Sequence, residues 1–158
     1  MARLLIIAIL FVAVLAGQSK YTGPKPPKKN VPYLVHAGNP VEIETSTALQ
    51  IINNDLITYV ISGEKSTART PLASPIFVID STGITDVEKL RLFRLEAKDG
   101  HRTVTFHNKG QRGAMPLRIQ IIPIPGGLQQ IEVVDTLSPG QYALTPDGTN
   151  QVFCFEVF

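Results

Sequence analysis

Hydrophobic and polar residues alternate with a period of two along much of the chain beyond residue 30. Residues 41–45, 117–121 and 130–133 each show this alternation, which is typical of a strand with one buried face and one solvated face. Residues 76–79 are instead continuously apolar, as in a strand that is covered on both faces. No stretch after the first 17 residues has the 3.6-residue period of an amphipathic helix. The pattern therefore predicts an all-β domain.

A β-hairpin is the sharpest local prediction. The segments Leu90–Lys98 and His101–His107 flank the dipeptide Asp99-Gly100, which favours a two-residue primed turn. In that register the last residue of the first strand lies opposite the first residue of the second. About seven to eight such short strands, separated by Gly and Pro, favour a sandwich of two antiparallel sheets.

Two segments between these strands carry other predictions. Residues 62–74 are rich in Ser, Thr, Ala and Pro and show no hydrophobic period, so we predict a long surface loop there. The spacing of Thr85 and Glu88 is that of a capping box, which predicts a single helical turn.

A Pro-Gly turn followed by a tyrosine is the most specific motif of the chain. Residues 137–142 read Leu-Ser-Pro-Gly-Gln-Tyr, and Pro139 and Gly140 set a turn before Tyr142 opens a strand. This stretch resembles the tyrosine corner of immunoglobulin-like domains, in which the phenol donates a hydrogen bond to the backbone a few residues upstream. The resemblance implies a single immunoglobulin-like antiparallel β-sandwich over residues 31–158. The antibody core of two cysteines and a tryptophan is absent, because the chain has one Cys and no Trp.

Three further stretches extend the resemblance to a group of proteins. Residues 31–37, 68–73 and 153–155 resemble those of uncharacterised exported bacterial proteins. The resemblance covers most of the chain after residue 17. It implies export and no particular activity.

The first 17 residues have the features of a secretory signal peptide. Arg3 precedes an apolar run over residues 4–15, and the small residues behind it place the expected cleavage near Ala16 and Gly17. The run is shorter than the roughly 20 residues that a membrane-spanning helix needs. We expect a secreted or periplasmic protein with no membrane span in its mature chain; an uncleaved anchor is the alternative.

The charge of the chain is divided unevenly. Residues 18–30 contain four lysines, three prolines and no acid, and this composition predicts a flexible tether. From residue 31 onward there are ten Lys and Arg against thirteen Asp and Glu, a net charge of −3. A nucleic-acid-binding domain concentrates positive charge on its folded part. We therefore expect no nucleic-acid partner.

Reactive side chains are few. Cys154 is the single cysteine and has no internal disulfide partner, so we predict a small buried thiol, with a disulfide to another chain as the alternative. His101 and His107 lie on one predicted strand, roughly 20 Å apart at the usual rise per residue, which is too far for a shared metal ion. No nucleophile-and-base motif and no cofactor-binding motif is present. We expect a non-enzymatic protein without metal or cofactor; a hydrolase with an unrecognised site is an alternative.

These observations favour a binding or structural module of the cell envelope or the extracellular space that contacts a protein or a glycan. The candidate recognition surface is a basic patch on one sheet formed by Arg91, Arg94, Arg102 and Arg118. The alternative is a homo-oligomeric fibre or pilus subunit, which adds a strand to a neighbour's sheet. The candidate donor residues are Val31, Tyr33, Leu34 and Val35, which we expect to lie in the domain's own sheet if no neighbour takes them.

Overall fold

The computed structural model describes residues 20–82, 86–108 and 113–158. The predicted signal peptide and Thr85 of the predicted capping box lie outside these residues. Within the described ranges the fold is all-β, with thirteen strands in two sheets, antiparallel except for one strand pair, and one 3-10 turn at Val87–Lys89. The strands are β1 (Pro32–His36), β2 (Asn39–Glu42), β3 (Glu44–Thr47), β4 (Leu49–Asn53), β5 (Leu56–Ser62), β6 (Arg69–Thr70), β7 (Ile76–Asp80), β8 (Leu90–Lys98), β9 (His101–His107), β10 (Ile119–Ile124), β11 (Leu128–Val133), β12 (Gly140–Pro146) and β13 (Gln151–Val157).

The first sheet has five strands in the order β10-β11-β7-β1-β2. β7 is the continuously apolar strand, and it lies in the middle of the sheet, where Phe77, Val78 and Ile79 are all fully buried. This burial on both faces confirms the prediction from its sequence. The β1–β2 hairpin turns through Ala37 and Gly38, which have φ values of +48° and +78°, as a primed turn requires.

The second sheet has eight strands and curls on itself. Its main path is β3-β13-β12-β8-β9-β5-β4, and β6 pairs with β13 in parallel. The two strands that end this path, β3 and β4, are consecutive in the chain and are separated only by Ala48. The chain therefore pairs first with β13 and then with β5, which brings the two ends of the sheet together. At this junction the Ala48 N–H donates to the Asn150 carbonyl at 2.8 Å.

The main hydrophobic core lies between the two sheets. Phe155 is fully buried at its centre, with its ring 4.9 Å from that of Phe77 in the first sheet and 5.5 Å from the ring of Tyr142 in the second. Aromatic side chains bury the largest apolar area per residue, so these rings account for much of the packing between the sheets. A second apolar cluster lies inside the curled sheet, and it includes Ile61, Leu95, Ala143 and Cys154.

The predicted hairpin is confirmed. Lys98 pairs with His101, and the turn residues Asp99 and Gly100 have φ values of +53° and +81°. The prediction of about seven to eight strands is too low for the described residues. The chain bends from the first sheet into the second at Ile43 and changes partner again at Ala48, so one extended stretch counts as three short strands.

The predicted surface loop at residues 62–74 is wrong in its middle. Ser66, Ala68 and Thr70 are 4%, 7% and 1% exposed, an alternation that marks a strand with a buried face. Arg69–Thr70 forms β6, and the N–H of Glu156 donates to the Ala68 carbonyl at 2.9 Å. Small side chains at the inward positions hide this period from a pattern based on hydrophobicity.

The described part of the predicted tether, residues 20–30, lies against the first sheet, and we call it the N-terminal strap. The Tyr21 N–H donates to Gln130 Oε1 at 2.6 Å, and Lys25 Nζ lies 3.0 Å from Asp80 Oδ2. The Tyr21 side chain packs against an apolar cluster that includes Tyr33, Val78, Ile124 and Leu128. These contacts place the strap on the domain, while its flexibility stays a prediction.

Candidate ligand-binding cavity

An apolar cavity of about 220 Å³ lies inside the curled sheet. Its wall is built from alternate residues of five strands, because every second side chain of a strand points to the same face. β5 and β9 contribute the half-buried part of the wall, and β8, β12 and β13 contribute the buried part. These lining residues are Ile57, Tyr59, Ile61, Phe93, Leu95, Val104, Phe106, Ala143 and Val152.

Three aromatic rings of the lining meet edge to face. The ring of Phe106 lies 5.2 Å from that of Phe93 at an angle of 88°, and 5.8 Å from that of Tyr59 at 81°. Edge-to-face contacts at these distances are the favoured arrangement of aromatic pairs. Phe106 and Tyr59 are nevertheless only partly buried, and both belong to the lining of the cavity.

A buried ion pair lies inside the curled sheet, next to residues that line the cavity. Arg102 lies two residues before Val104 on the inward face of β9 and is 1% exposed. Its guanidinium donates to the two carboxylate oxygens of Glu44 at 3.0 and 2.6 Å, and to the carbonyls of Ser62 and Gly63, both at 2.8 Å. Burial alone would raise the pKa of Glu44, but the hydrogen bonds and positive charge of Arg102 lower it below its usual value.

Cys154 lies beside this ion pair. It is fully buried and two residues beyond Val152 on β13, directly opposite Glu44 of β3. The prediction that this side chain is buried in a strand is confirmed. Burial raises the pKa of the Cys154 thiol to about 12, so the thiol stays protonated and unreactive at neutral pH.

The outer end of the cavity is rimmed by polar residues of the β12–β13 turn. The rim comprises Thr145, Pro146, Asp147, Gly148, Thr149 and Asn150. The turn is held in place because the Asp147 N–H donates to the Lys89 carbonyl at 2.9 Å and the Thr145 hydroxyl donates to the Gln151 carbonyl at 2.8 Å. Asp147 is the one charged side chain among the described residues that line the cavity.

The predicted tyrosine corner has the contact that such a corner requires. The Tyr142 hydroxyl donates to the Ser138 carbonyl at 2.6 Å. Arg94 extends this arrangement, because its guanidinium lies 5.7 Å from the centre of the Tyr142 ring and donates to the Pro139 carbonyl at 3.1 Å. A β-carbon at Gly140 would lie 3.0 Å from Arg94 Nη2, so glycine leaves room for the guanidinium.

The structure separates the four predicted recognition arginines. Arg102 is buried inside the curled sheet, so the prediction that it lies on the surface is wrong. Arg94 is bound to the corner, and Arg91 on the same strand donates to two backbone carbonyls near the 3-10 turn. Arg118 precedes β10 of the other sheet and pairs with Asp135 at 2.7 Å. These side chains therefore do not form one patch on one sheet.

Three of the four predicted strand-donating residues, Tyr33, Leu34 and Val35, lie in β1 of the domain's own first sheet, and Val31 precedes it. β1 pairs with β2 on one side and β7 on the other, and Tyr33 and Leu34 are each 2% exposed. Val31 and Val35 pack against the apolar cluster beneath the strap. Donation to a neighbour would require this strand to leave two partners.

A second, open hollow of about 460 Å³ lies on the outer face of β8 and β12. Its charged lining residues have both signs: Glu64, Lys65, Arg94 and Glu96. Arg94 is held by the corner. We therefore give this shallow, polar surface less weight than the apolar cavity inside the curled sheet.

Other features add no further site. Over residues 20–82, 86–108 and 113–158, no three His, Cys, Asp or Glu side chains converge as metal ligands would. In the same ranges no helix has the length and apolarity to cross a membrane. Comparison with protein-family models, with curated proteins and with solved structures finds no match to this chain.

Sequence reasoning missed the cavity, although part of its signal is present in the sequence. Ile57, Tyr59 and Ile61 alternate with other residues in β5, as do Val104 and Phe106 in β9. This period shows which side chains point inward. It does not show whether the inward side chains fill the space or surround a void, because that depends on how far the sheet curls.

Proposed function

We propose that the chain is an exported, non-enzymatic binding module that holds an apolar group in the cavity of its curled sheet. The cavity between Phe106 and Ala143 carries this proposal, because it is apolar along its depth and polar at its rim. Ligand sites typically combine an apolar wall with a few polar groups that fix the orientation of the ligand.

The energetics of the cavity favour occupation by an apolar group. Water inside it would find few hydrogen-bond partners, because the wall is aliphatic and aromatic beyond the rim. An apolar group that enters removes its own surface and that of Tyr59 and Phe106 from water, which is worth about 25 cal/mol per Å². The turn at residues 146–150 then offers hydroxyl, amide and carboxylate groups to a polar substituent.

Export and the immunoglobulin-like architecture belong to the same proposal. The hydrogen bond from Tyr142 to Ser138 supports an immunoglobulin-like sandwich at the corner. The signal-peptide pattern of the first 17 residues and the likeness to exported bacterial proteins support a location in the envelope or outside the cell.

A second candidate function is assembly with other copies of this chain through β4. Among the described residues β4 pairs only with β5, and its Leu49 and Ile52 are each 65% exposed. Residues 45–54 contain no charge and no proline, the usual devices that prevent an edge strand from pairing with another chain. Sedimentation analysis of the wild type and of the variant Ile51→Lys tests assembly through β4. A wild-type protein that stays monomeric at all concentrations would contradict it.

The cavity proposal is tested by methyl NMR with small neutral probes. Toluene, cyclohexanol and 1-hexanol are titrated against the protein, and the methyl signals of Ala143 and Val152 are followed. We expect at least one probe to shift both signals saturably. Failure of every probe to shift them in the folded protein would contradict the proposal.

A matched pair of variants tests whether the probes bind inside the cavity. Val104→Phe places a ring into the cavity, whereas Thr103→Phe places the same ring on the opposite face of β9. We expect the first variant to weaken probe binding about tenfold or more, as lost space excludes the probe. The second should bind like the wild type, and circular dichroism verifies that both fold.

A further inference from the structure

We infer that the group bound in this cavity is a neutral or cationic compound that carries one or two fused aromatic rings and enters ring first. This inference rests on the proposed function, because it names the ligand class of the same cavity. It is argued from the volume of the cavity, the exposed turn in its lining, the orientation of its aromatic rings and the charge of its lining.

The volume of the cavity sets the size of the ligand. An apolar protein cavity of about 150 Å³ holds one benzene molecule, and this cavity measures about 220 Å³. One ring therefore fits with room to spare, and a fused pair of rings such as indole fits with its polar edge towards the rim. A long acyl chain exceeds the space, so most of its methylene groups would remain outside.

The surroundings of the cavity favour entry from one side. The exposed residues of its lining are those of the turn at 147–150. Arg102, which is paired with Glu44, and Cys154 are buried beside the lining residues Val104 and Val152 on the same strands. In this inference the ligand therefore enters past the turn, with its ring towards these buried groups.

The aromatic rings of the lining favour an aromatic ligand over an aliphatic ligand of equal size. Phe93, Phe106 and Tyr59 already form two edge-to-face contacts at 88° and 81°. A fourth ring placed against the partly buried Phe106 and Tyr59 continues the same pattern, in which the positive edge of one ring meets the negative face of another. An aliphatic guest gains only the burial of its surface.

The charge of the rim disfavours an anion. Asp147 is the one charged side chain of the described lining, and Lys89, which interacts with it, lies outside that lining. A carboxylate on the ligand would therefore approach a like charge, whereas an ammonium group would approach an opposite one. The expected ligand is neutral or cationic at its exposed end.

The ligand class is tested by affinity measurements with a panel of probes. Because the protein has no Trp, the fluorescence of indole compounds reports binding without background from the chain. We expect indole to bind about tenfold more tightly than 1-octanol, which is measured by its displacement of indole and by the Ala143 methyl shift. Equal or tighter binding of 1-octanol would overturn the inference while leaving the cavity proposal intact.

Charge is tested with tryptamine and indole-3-acetate. We expect tryptamine to bind about threefold or more tightly than indole-3-acetate at low salt, and Asp147→Asn to remove this difference. Tighter binding of indole-3-acetate would contradict the charge argument. Asp147 lies on the exposed turn, so its replacement preserves the core, and Asp99→Asn on a distant turn serves as the matched control.

One further probe distinguishes whether the bound aromatic ring belongs to a peptide side chain or to a free small molecule. N-acetyltryptophanamide presents the ring on a peptide backbone, and indole presents it as a free small molecule. Tighter binding of N-acetyltryptophanamide than of indole assigns the site to a peptide side chain, and the reverse order assigns it to a free compound. If neither aromatic probe binds and no other probe shifts the cavity methyls, both the inference and the proposed function fail.

Discussion

Arg102 and Glu44 meet inside the curled sheet, with guanidinium-to-carboxylate distances of 2.6 and 3.0 Å, although they are 58 residues apart in the chain. The pair joins β9 to β3, two strands that are not neighbours in the sheet. It places charge that is paired and hydrogen-bonded inside the curl, beside the apolar residues that line the cavity.

Removal of the arginine from this pair should be strongly destabilising. Arg102→Met leaves Glu44 without its partner, and the loss of one member of a buried pair costs about 3 kcal/mol or more. Urea unfolding measures the free energy. Arg118→Met is the matched control, because Arg118 pairs with Asp135 at the surface with 75% of its side chain exposed, and its effect should be far smaller. Equal effects of the two variants would contradict the buried position of Arg102.

Loss of the hydroxyl of the corner tyrosine should also lower stability. Tyr142→Phe leaves the Ser138 carbonyl without its donor, at a cost of about 1–3 kcal/mol for a buried group. For a domain of this size we expect the melting temperature to fall by several degrees. Tyr21→Phe is the control, because the Tyr21 hydroxyl donates to the Pro24 carbonyl in an exposed setting. An unchanged melting temperature for Tyr142→Phe would show that the corner does not form.

Stability at low pH should depend on Asp80, which binds the strap. The hydrogen bond from the Thr82 hydroxyl is the main cause of its low pKa of about 2; burial opposes the shift, and Lys25 adds to it. The unfolded carboxyl has a pKa of about 3.9, so the stabilisation is present above pH 4 and is lost as the pH falls towards 2. In acid titrations monitored by circular dichroism, Asp80→Asn should lose stability less steeply over this window. If the stability of Asp80→Asn changed with pH as steeply as that of the wild type, the role given to the low pKa of Asp80 would be contradicted.

Modification of Cys154 should require unfolding. The thiol is fully buried with a pKa of about 12 because of burial, so iodoacetamide should modify it far more slowly in the native protein than in urea. An unfolded thiol ionises near pH 8.5, so stability should decrease as the pH rises from about 8.5 towards 12. Mass spectrometry measures the modification. Complete native labelling within minutes at pH 8 would contradict this burial.

The sequence predicts the local elements of this fold better than their assembly. The period of two, the covered β7 strand and the Asp99-Gly100 turn are local signals, and each is present in the structure. The extended segment that ends in β6 escaped notice because its inward residues are Ser66, Ala68 and Thr70, which have little hydrophobicity. The curl of the second sheet depends on one chain segment that pairs with two distant strands, and no local pattern encodes that pairing.

The candidate site residues also divide into those that a local pattern predicts and those that depend on how the strands assemble. Tyr142 follows from a local turn motif, whereas Arg102 was assigned to the surface because arginine is usually exposed. Its position two residues before Val104 and four before Phe106 places it on the inward face of β9. A charge on an inward face indicates a buried partner, but Glu44 is identified only when the sheet closes.

The most direct test of the cavity is a crystal structure of the full folded domain grown with 5-bromoindole. The bromine atom gives an anomalous signal that locates the ring independently of the protein density. We predict one bromine site inside the curled sheet, within van der Waals contact of Phe106 and Ala143, with the ring nitrogen towards the turn of residues 146–150. A structure in which the cavity is filled by its own side chains, or in which bromine binds only elsewhere, would contradict the account.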